Sequence, residues 1–287
     1  MRLTHTRYYG VRHWLLAHSS DLIASEQRYM DFLTQATLAA APAIYDDFSR
    51  ANDLIPFWIN YSPSQRGRSP TGLAAPWSEV GQTTISSNLL RVVAQQEPSL
   101  SFPGIPFGGD VRFGVRRALL HVDVKSTGPN DVANEVVAPP QQLSGDGHLW
   151  ADGVMNSAYR VAGARSAGFL YQPKLPPFYV FNGRVQVCLT YFLKGIYAVR
   201  GLGNQPLSYL ELVSVPNGLL LFDGPRYADT PGLLTPGKDD KSVSEDRRRV
   251  RVKLDPLARL APWRCVKFFR NADGTWRTAP RYVLPSV

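Results

Sequence analysis

The stretch Leu119-Leu120-His121-Val122-Asp123-Val124-Lys125 decides how this chain is read. It is an apolar run that ends in an acid and a lysine two residues apart. In a strand the side-chain period is two, so Asp123 and Lys125 share one face, about 6–7 Å apart along it, while Val124 points into a core. A lysine placed beside a carboxylate at the end of a buried strand makes sense when something anionic arrives there. A second acid, Asp110, stands upstream, with the basic turn Gly114-Val115-Arg116-Arg117 between them. Residues 110–113 and 118–125 predict two short neighbouring strands that bring the two carboxylates together. Such a pair can hold one or two Mg²⁺ ions for phosphodiester hydrolysis, and the backbone carbonyl of Val124 is available as a further oxygen donor. Asp110, Asp123 and Lys125 are therefore the candidate catalytic residues, and Asp110, Asp123 and Val124 the candidate metal donors.

An acid-x-Lys triplet alone is a weak signal, since 23 acids and seven lysines yield roughly 0.5 of them by chance. Asp239-Asp240-Lys241 is a second copy, without an apolar lead-in. The copy at Asp123 has that lead-in, the upstream partner Asp110 and the polar turn Ser126-Thr127-Gly128-Pro129 after it. The competing reading is a surface strand with a local Asp/Lys alternation. Glu79, in Trp77-Ser78-Glu79-Val80, offers a third carboxylate; its ordinary role would be to stabilise the dipole at a helix N-terminus.

Working outward, residues 19–50 read as a helix, with Leu22, Ile23, Tyr29, Met30, Phe32, Leu33, Ala36 and Leu38 recurring near a 3.6 period. Residues 54–76 are rich in Pro, Gly and Arg and read as a loop. A second helix is expected over residues 78–96, on the stripe Val80, Ile85, Leu89, Leu90, Val92 and Val93. Residues 127–157 read as irregular, and strand-like runs return at 178–181, 185–192, 209–215 and 250–254, with alternating pieces over 263–282. No repeat or linker divides the chain. The expectation is one α/β domain over residues 1–287, with a central mixed sheet flanked by helices, a catalytic core at about 75–150 and a DNA-reading segment at about 236–254.

Composition narrows the partner. The chain carries 32 Lys and Arg against 23 Asp and Glu, a formal charge of +9, and only seven of the 32 are Lys. Guanidinium forks suit phosphates and guanine edges, although codon bias in a GC-rich genome gives the same excess. Cys188 and Cys265 fit neither a disulfide framework nor a zinc cluster, and the five histidines lack metal-ligand spacing. No apolar run reaches the roughly 20 residues of a membrane span, so a soluble, cytoplasmic protein is expected. A second charged group, Pro236-Gly237-Lys238-Asp239-Asp240-Lys241 followed by Arg247-Arg248-Arg249-Val250-Arg251-Val252-Lys253, would place Arg249, Arg251 and Lys253 on one strand face. Arginines there can read guanine and Asp240 can accept from cytosine; a solvated charged strand is the plainer alternative. The glycine-bearing strings Gln141-Gln142-Leu143-Ser144-Gly145-Asp146-Gly147 and Ser214-Val215-Pro216-Asn217-Gly218 are either phosphate cradles or turns.

The chain resembles the BglI family of type II restriction endonucleases, within the PD-(D/E)XK nucleases. The blocks that carry the resemblance are Ala51-Asn52, Pro56-Phe57-Trp58-Ile59-Asn60-Tyr61, Pro76-Trp77-Ser78-Glu79-Val80-Gly81, Val122-Asp123-Val124-Lys125-Ser126 and Leu143-Ser144-Gly145. Ile196-Tyr197-Ala198-Val199-Arg200, Ser214-Val215-Pro216-Asn217-Gly218-Leu219, Pro236-Gly237-Lys238-Asp239-Asp240 and Arg249-Val250-Arg251-Val252 complete the set, in one order. The resemblance implies Asp110 and Asp123 on the metals, Lys125 beside the attacking water, Glu79 at a nearby acidic position, and Lys238, Asp239, Asp240, Arg249 and Arg251 at the DNA, with the major groove read by all of these but Asp239. It further implies a homodimer around double-stranded DNA, a GCC-spacer-GGC target cut to leave 3′ overhangs, and a companion DNA methyltransferase in a bacterial host. Two departures stand out: Gly109 replaces the family's Pro before Asp110, and the connection from Asp110 to Asp123 is shorter. The rivals are a structure-specific repair nuclease with the same metal site and a DNA-binding module without activity.

Overall fold

The apolar stripe read over residues 19–50 becomes one long helix. In the computed structural model, which describes residues 5–53, 77–105, 108–150, 154–163, 166–181, 183–201, 204–228, 230, 232–237 and 248–281, α1 (His5–Ala17) leads into α2 (Ser19–Asp53), and α3 (Trp77–Gln96) follows. Leu22, Met30, Leu33, Ala36, Ala40, Ile44 and Phe48 form the buried face of α2, with Pro42 inside the helix. The strands are β1 (Val111–Gly114), β2 (Ala118–Thr127), β3 (Glu135–Ala138), β4 (Leu149–Trp150), β5 (Val154–Met155), β6 (Tyr159–Gly163), β7 (Ser166–Tyr171), β8 (Phe178–Phe181), β9 (Arg184–Tyr197), β10 (Leu207–Val215), β11 (Leu234–Pro236), β12 (Val250–Lys253), β13 (Cys265–Arg270) and β14 (Trp276–Pro280). Three short helices, α4 (Gly218–Leu221), α5 (Pro225–Ala228) and α6 (Leu254–Leu260), complete the order. Two expectations change. Helix α1 was not anticipated, and residues 127–157, read as irregular, contain β3, β4, β5 and the 3-10 turn Pro140–Gln142.

The main sheet runs β1-β2-β9-β10-β13-β14, with β8 added along β9. Among the described residues of this sheet only β2 and β9 pair in parallel; the other ladders are antiparallel. A parallel pair needs a crossover, and here the intervening chain carries β3 to β8. Helix α3 lies on the face shown by Val122, Val124 and Ser126. A Cβ at Gly81 would stand 2.2 Å from the Ser126 Oγ, and one at Gly195 2.7 Å from the Ile85 Cδ1, so two glycines allow helix and sheet to approach this closely. Asp123 and Lys125 necessarily point to the other face.

Across that other face the registers align Lys125 with Lys194, Lys194 with Glu211 and Glu211 with Lys267. Lys194 is buried; its ammonium donates to the carbonyls of Ala133 and Glu135, the latter at 3.1 Å, and lies 3.8 Å from Glu211. Burial lowers its pKa to about 8, against the pull of Glu211. An unfolded Lys holds its proton up to about 10.5, so between these values the unfolded chain binds more protons and stability rises with pH. Lys194→Met is expected to remove that contribution, a slope of up to about 1.4 kcal/mol per pH unit, in denaturant titrations compared across this window.

A second, three-stranded sheet, β11-β12-β3, is joined to this face through Lys194. Glu135 on β3 pairs with both Arg251 and Lys253 on β12. The glycine-bearing strings prove to be packing elements. The Gly218 N–H donates to the Ser144 Oγ at 2.9 Å, and a Cβ on Gly218 would fall 1.9 Å from the Gly145 carbonyl oxygen. Asn217 donates to the carbonyls of Pro177 and Cys188, both at 2.8 Å. The polar groups that a phosphate would need are thus already engaged within the protein.

Candidate active site

The β1–β2 ladder ends at the pair Val111 and Val122, so Asp110 stands just before β1, close enough to Asp123 to act on its charge. A Cβ at Gly109 would stand 2.6 Å from the carbonyl carbon and oxygen of Val122 and 2.7 Å from the Asp123 nitrogen. No side chain fits there, which explains why this chain lacks a proline before Asp110. Asp110 is exposed, whereas Asp123 is buried. The Asp110 Oδ2 accepts the Val124 N–H at 2.8 Å, and its Oδ1 accepts from the Gln82 amide of α3. The Asp123 Oδ2 faces the Lys125 ammonium at 2.6 Å. Burial pushes the Asp123 carboxyl up to about 6; Lys125 opposes the rise and Asp110 adds to it.

Two carboxylates brought this close repel one another, and Asp110 raises the Asp123 pKa accordingly. The arrangement therefore favours a cation between or beside the carboxylates. Among the described residues no group of three or more His, Cys, Asp or Glu gathers to hold a metal. Two carboxylates, one of them exposed, suit Mg²⁺, which keeps several waters and binds through one or two acids, better than they suit zinc.

Two residues at this site escaped the sequence reading. Gln82 and Gln142 each place an amide on one carboxylate. Gln142 also accepts from the Lys125 ammonium at 3.1 Å, so one side chain spans Asp123 and Lys125. The signal for Gln82 was its place three residues after Glu79, on the same helical face; for Gln142 the sequence offered only a string read as a cradle or a turn. Gln142→Met keeps the volume and loses both contacts. Supporting hydrogen bonds of this kind are worth about 10–100-fold in activity, and a loss of that size is expected in single-turnover cleavage. A near-native rate in Gln142→Met would mean that the side chain only fills space.

The other candidates are placed as follows. Glu79 lies on α3, with its side chain outside the described residues, as are Lys238, Asp239 and Asp240 entirely. Arg251 is on β12 as expected, but its guanidinium is bound to Glu135. Arg249 precedes β12, half-buried, and its carbonyl accepts the Gly237 N–H at 2.9 Å.

The family model described as restriction endonuclease BglI matches residues 3–268. The chain belongs to the BglI family of type II restriction endonucleases. The type II restriction enzyme BglI of Bacillus subtilis is 37% identical over 241 residues, covering 75% of this chain and 80% of that protein. A crystal structure of BglI bound to its DNA recognition sequence superposes with a TM-score of 0.82 at 33% identity, over 91% of this chain and 94% of that one. The tetrameric restriction endonuclease SfiI, bound to cognate DNA, superposes at a TM-score of 0.62 over 92% and 96% of the two chains. At 16% identity that likeness extends to the fold alone. Membership in the BglI family answers both rival readings, since its members are sequence-specific endonucleases rather than repair nucleases or passive binding modules. Among the described residues no helix is long and apolar enough to cross a membrane.

Proposed function

We propose that this chain is a Mg²⁺-dependent endonuclease of one domain, cutting double-stranded DNA within the spacer of a GCC-spacer-GGC site to leave 5′-phosphate and 3′-hydroxyl ends with 3′ overhangs. The observation that carries the reading is Asp110, just before β1, accepting the Val124 N–H at 2.8 Å beside Asp123 on β2, with the Lys125 ammonium 2.6 Å from Asp123. Asp110, Asp123 and the Val124 carbonyl would hold one or two Mg²⁺ ions. When bound, Mg²⁺ supplies stabilisation of the charge that develops on the phosphoryl oxygens. Lys125 orients the attacking water in line with the scissile phosphate and adds positive charge beside it. Gln142 keeps Lys125 and Asp123 in register, Gln82 does the same for Asp110, and Glu79 supplies a further acidic group.

Reading of the half-site falls to Lys238, Asp240, Arg249 and Arg251, with Asp239 also at the DNA. Arg251 must exchange Glu135 for a base or phosphate when DNA arrives. A two-fold homodimer lets one chain read both halves of a palindrome, with the half-site separation set by the dimer. The enzyme works in the bacterial cytoplasm beside a methyltransferase that protects the host's own sites. The test is an Mg²⁺-dependent digest of a plasmid of known sequence with the fragment ends sequenced. Discrete ends at GCC-spacer-GGC support the reading. Cuts at another sequence overturn the specificity, and cuts at branched structures overturn the restriction role.

A further inference from the structure

The basic turn Gly114-Val115-Arg116-Arg117 has no part in the catalytic site, yet it borders a cleft of about 750 Å³. Four arginines line that cleft from three different parts of the chain: Arg28 on α2, Arg116 and Arg117 on the turn, and Arg184 at the start of β9, with Trp14 of α1 at the wall. All four arginines and Trp14 are exposed. Among the described residues none of the four forms an ion pair, and the single acid in the lining is Asp21. An adjoining cleft of about 590 Å³ shares Arg116 and Arg184. Four like charges converging on one concavity repel one another, and a low-dielectric wall concentrates their field on whatever anion enters. Guanidinium groups in that setting select phosphate oxygens through paired N–H donors.

Arg117 immediately precedes β2, six positions before Asp123, which places the cleft about 20 Å from the catalytic carboxylates along the strand. Six base pairs of duplex span about the same distance at 3.4 Å each. We propose that this arginine cleft binds the phosphate backbone of the target duplex outside the recognition sequence, gripping the flank of the DNA held at the active site. The inference rests on the endonuclease reading for its ligand. Such contacts carry no base preference; they add affinity and strengthen its dependence on salt.

The test compares two duplexes carrying the target, one ending at the half-sites and one extended by two helical turns on each side. Binding is measured by anisotropy without divalent ions over a series of salt concentrations. Each phosphate contact contributes a slope of about −0.9 in log affinity against log salt. The native protein is expected to show a steeper slope on the long duplex, and the variant carrying Arg116→Ala, Arg117→Ala and Arg184→Ala to lose roughly 2–3 units of it. Lysines at the three positions should restore most of that slope. Should the triple alanine variant melt early, Arg184→Gln alone carries the test, with a change of about 0.9. Equal slopes on both duplexes in the native protein overturn the proposal, as does an equal loss on the short duplex. A slope difference that appears only when a second duplex is added in trans also overturns it. Native protein that ignores the target on both duplexes would instead remove the endonuclease reading, and cleavage of the short duplex tests that reading separately.

Discussion

Asp123→Asn is expected to abolish Mg²⁺-dependent DNA cleavage while leaving DNA binding largely intact. The substitution is nearly isosteric, and Asp123 is already buried with its Oδ1 accepting from Gln142. What changes is charge. The variant loses one of two anionic donors to the proposed metal and the anion that holds the Lys125 ammonium 2.6 Å away. Metal stabilisation of a transferring phosphoryl group amounts to several kcal/mol, so a rate loss of about a thousandfold or more follows. Binding depends on other groups, and losing an acid near a phosphate lowers repulsion, so affinity without metal should hold or rise slightly. Single-turnover cleavage and anisotropy on the same target duplex check both halves. Full activity in Asp123→Asn would sink the assignment; equal loss of binding and cleavage would make Asp123 a folding residue.

The largest effect on stability is expected from Glu26→Ala. Glu26 lies within α2 and pairs with Arg264, and neither side chain is accessible to solvent beyond 1%. The guanidinium also donates to the Tyr227 hydroxyl at 3.3 Å and stacks 4.3 Å over the Trp263 ring. Glu26 further accepts the Asn217 N–H, and its own carbonyl accepts from the Tyr191 hydroxyl at 3.1 Å. Breaking one side of such a pair leaves an uncompensated buried charge, at a cost of about 3–5 kcal/mol. A domain has only about 5–15 kcal/mol to lose, so the midpoint in urea should fall sharply. Replacing both partners with apolar residues of similar volume should recover most of the loss, because the desolvation penalty goes with the charges. A double variant as weak as the single one would show that the surrounding hydrogen bonds matter more than the ion pair.

The strand that carries the candidate pair Asp123 and Lys125 was legible in the sequence because its determinants are local. A period of two, an apolar lead-in and a polar stop place Asp123 and Lys125 on one face and Val124 on the other. The helices α2 and α3 were legible for the same reason, through their 3.6 period. Local pattern also suggested that Asp110 belongs with Asp123, since a four-residue turn cannot carry the chain far away. Helix α1 went unread because its apolar and polar residues follow no clear face, and packing of Tyr8 and Leu15 against the rest of the protein supplies what the pattern lacks.

The residues around the site were a different matter. Gln82 reaches Asp110 from 28 positions upstream and Gln142 reaches Asp123 from 19 positions downstream. Ser144 meets Gly218 across 74 positions, and Arg251 meets Glu135 only because β12 pairs with β3. A glutamine or a glycine carries no mark of such a partner, since its role depends on what the fold brings within about 3 Å. The sequence by itself determined that Asp123 and Lys125 stand on one strand face and that the chain carries the basic charge that suits a polyanion. Only the tertiary structure decided what holds those groups in place, because hydrogen bonds and close packing act over a few ångströms in space and are indifferent to distance along the chain.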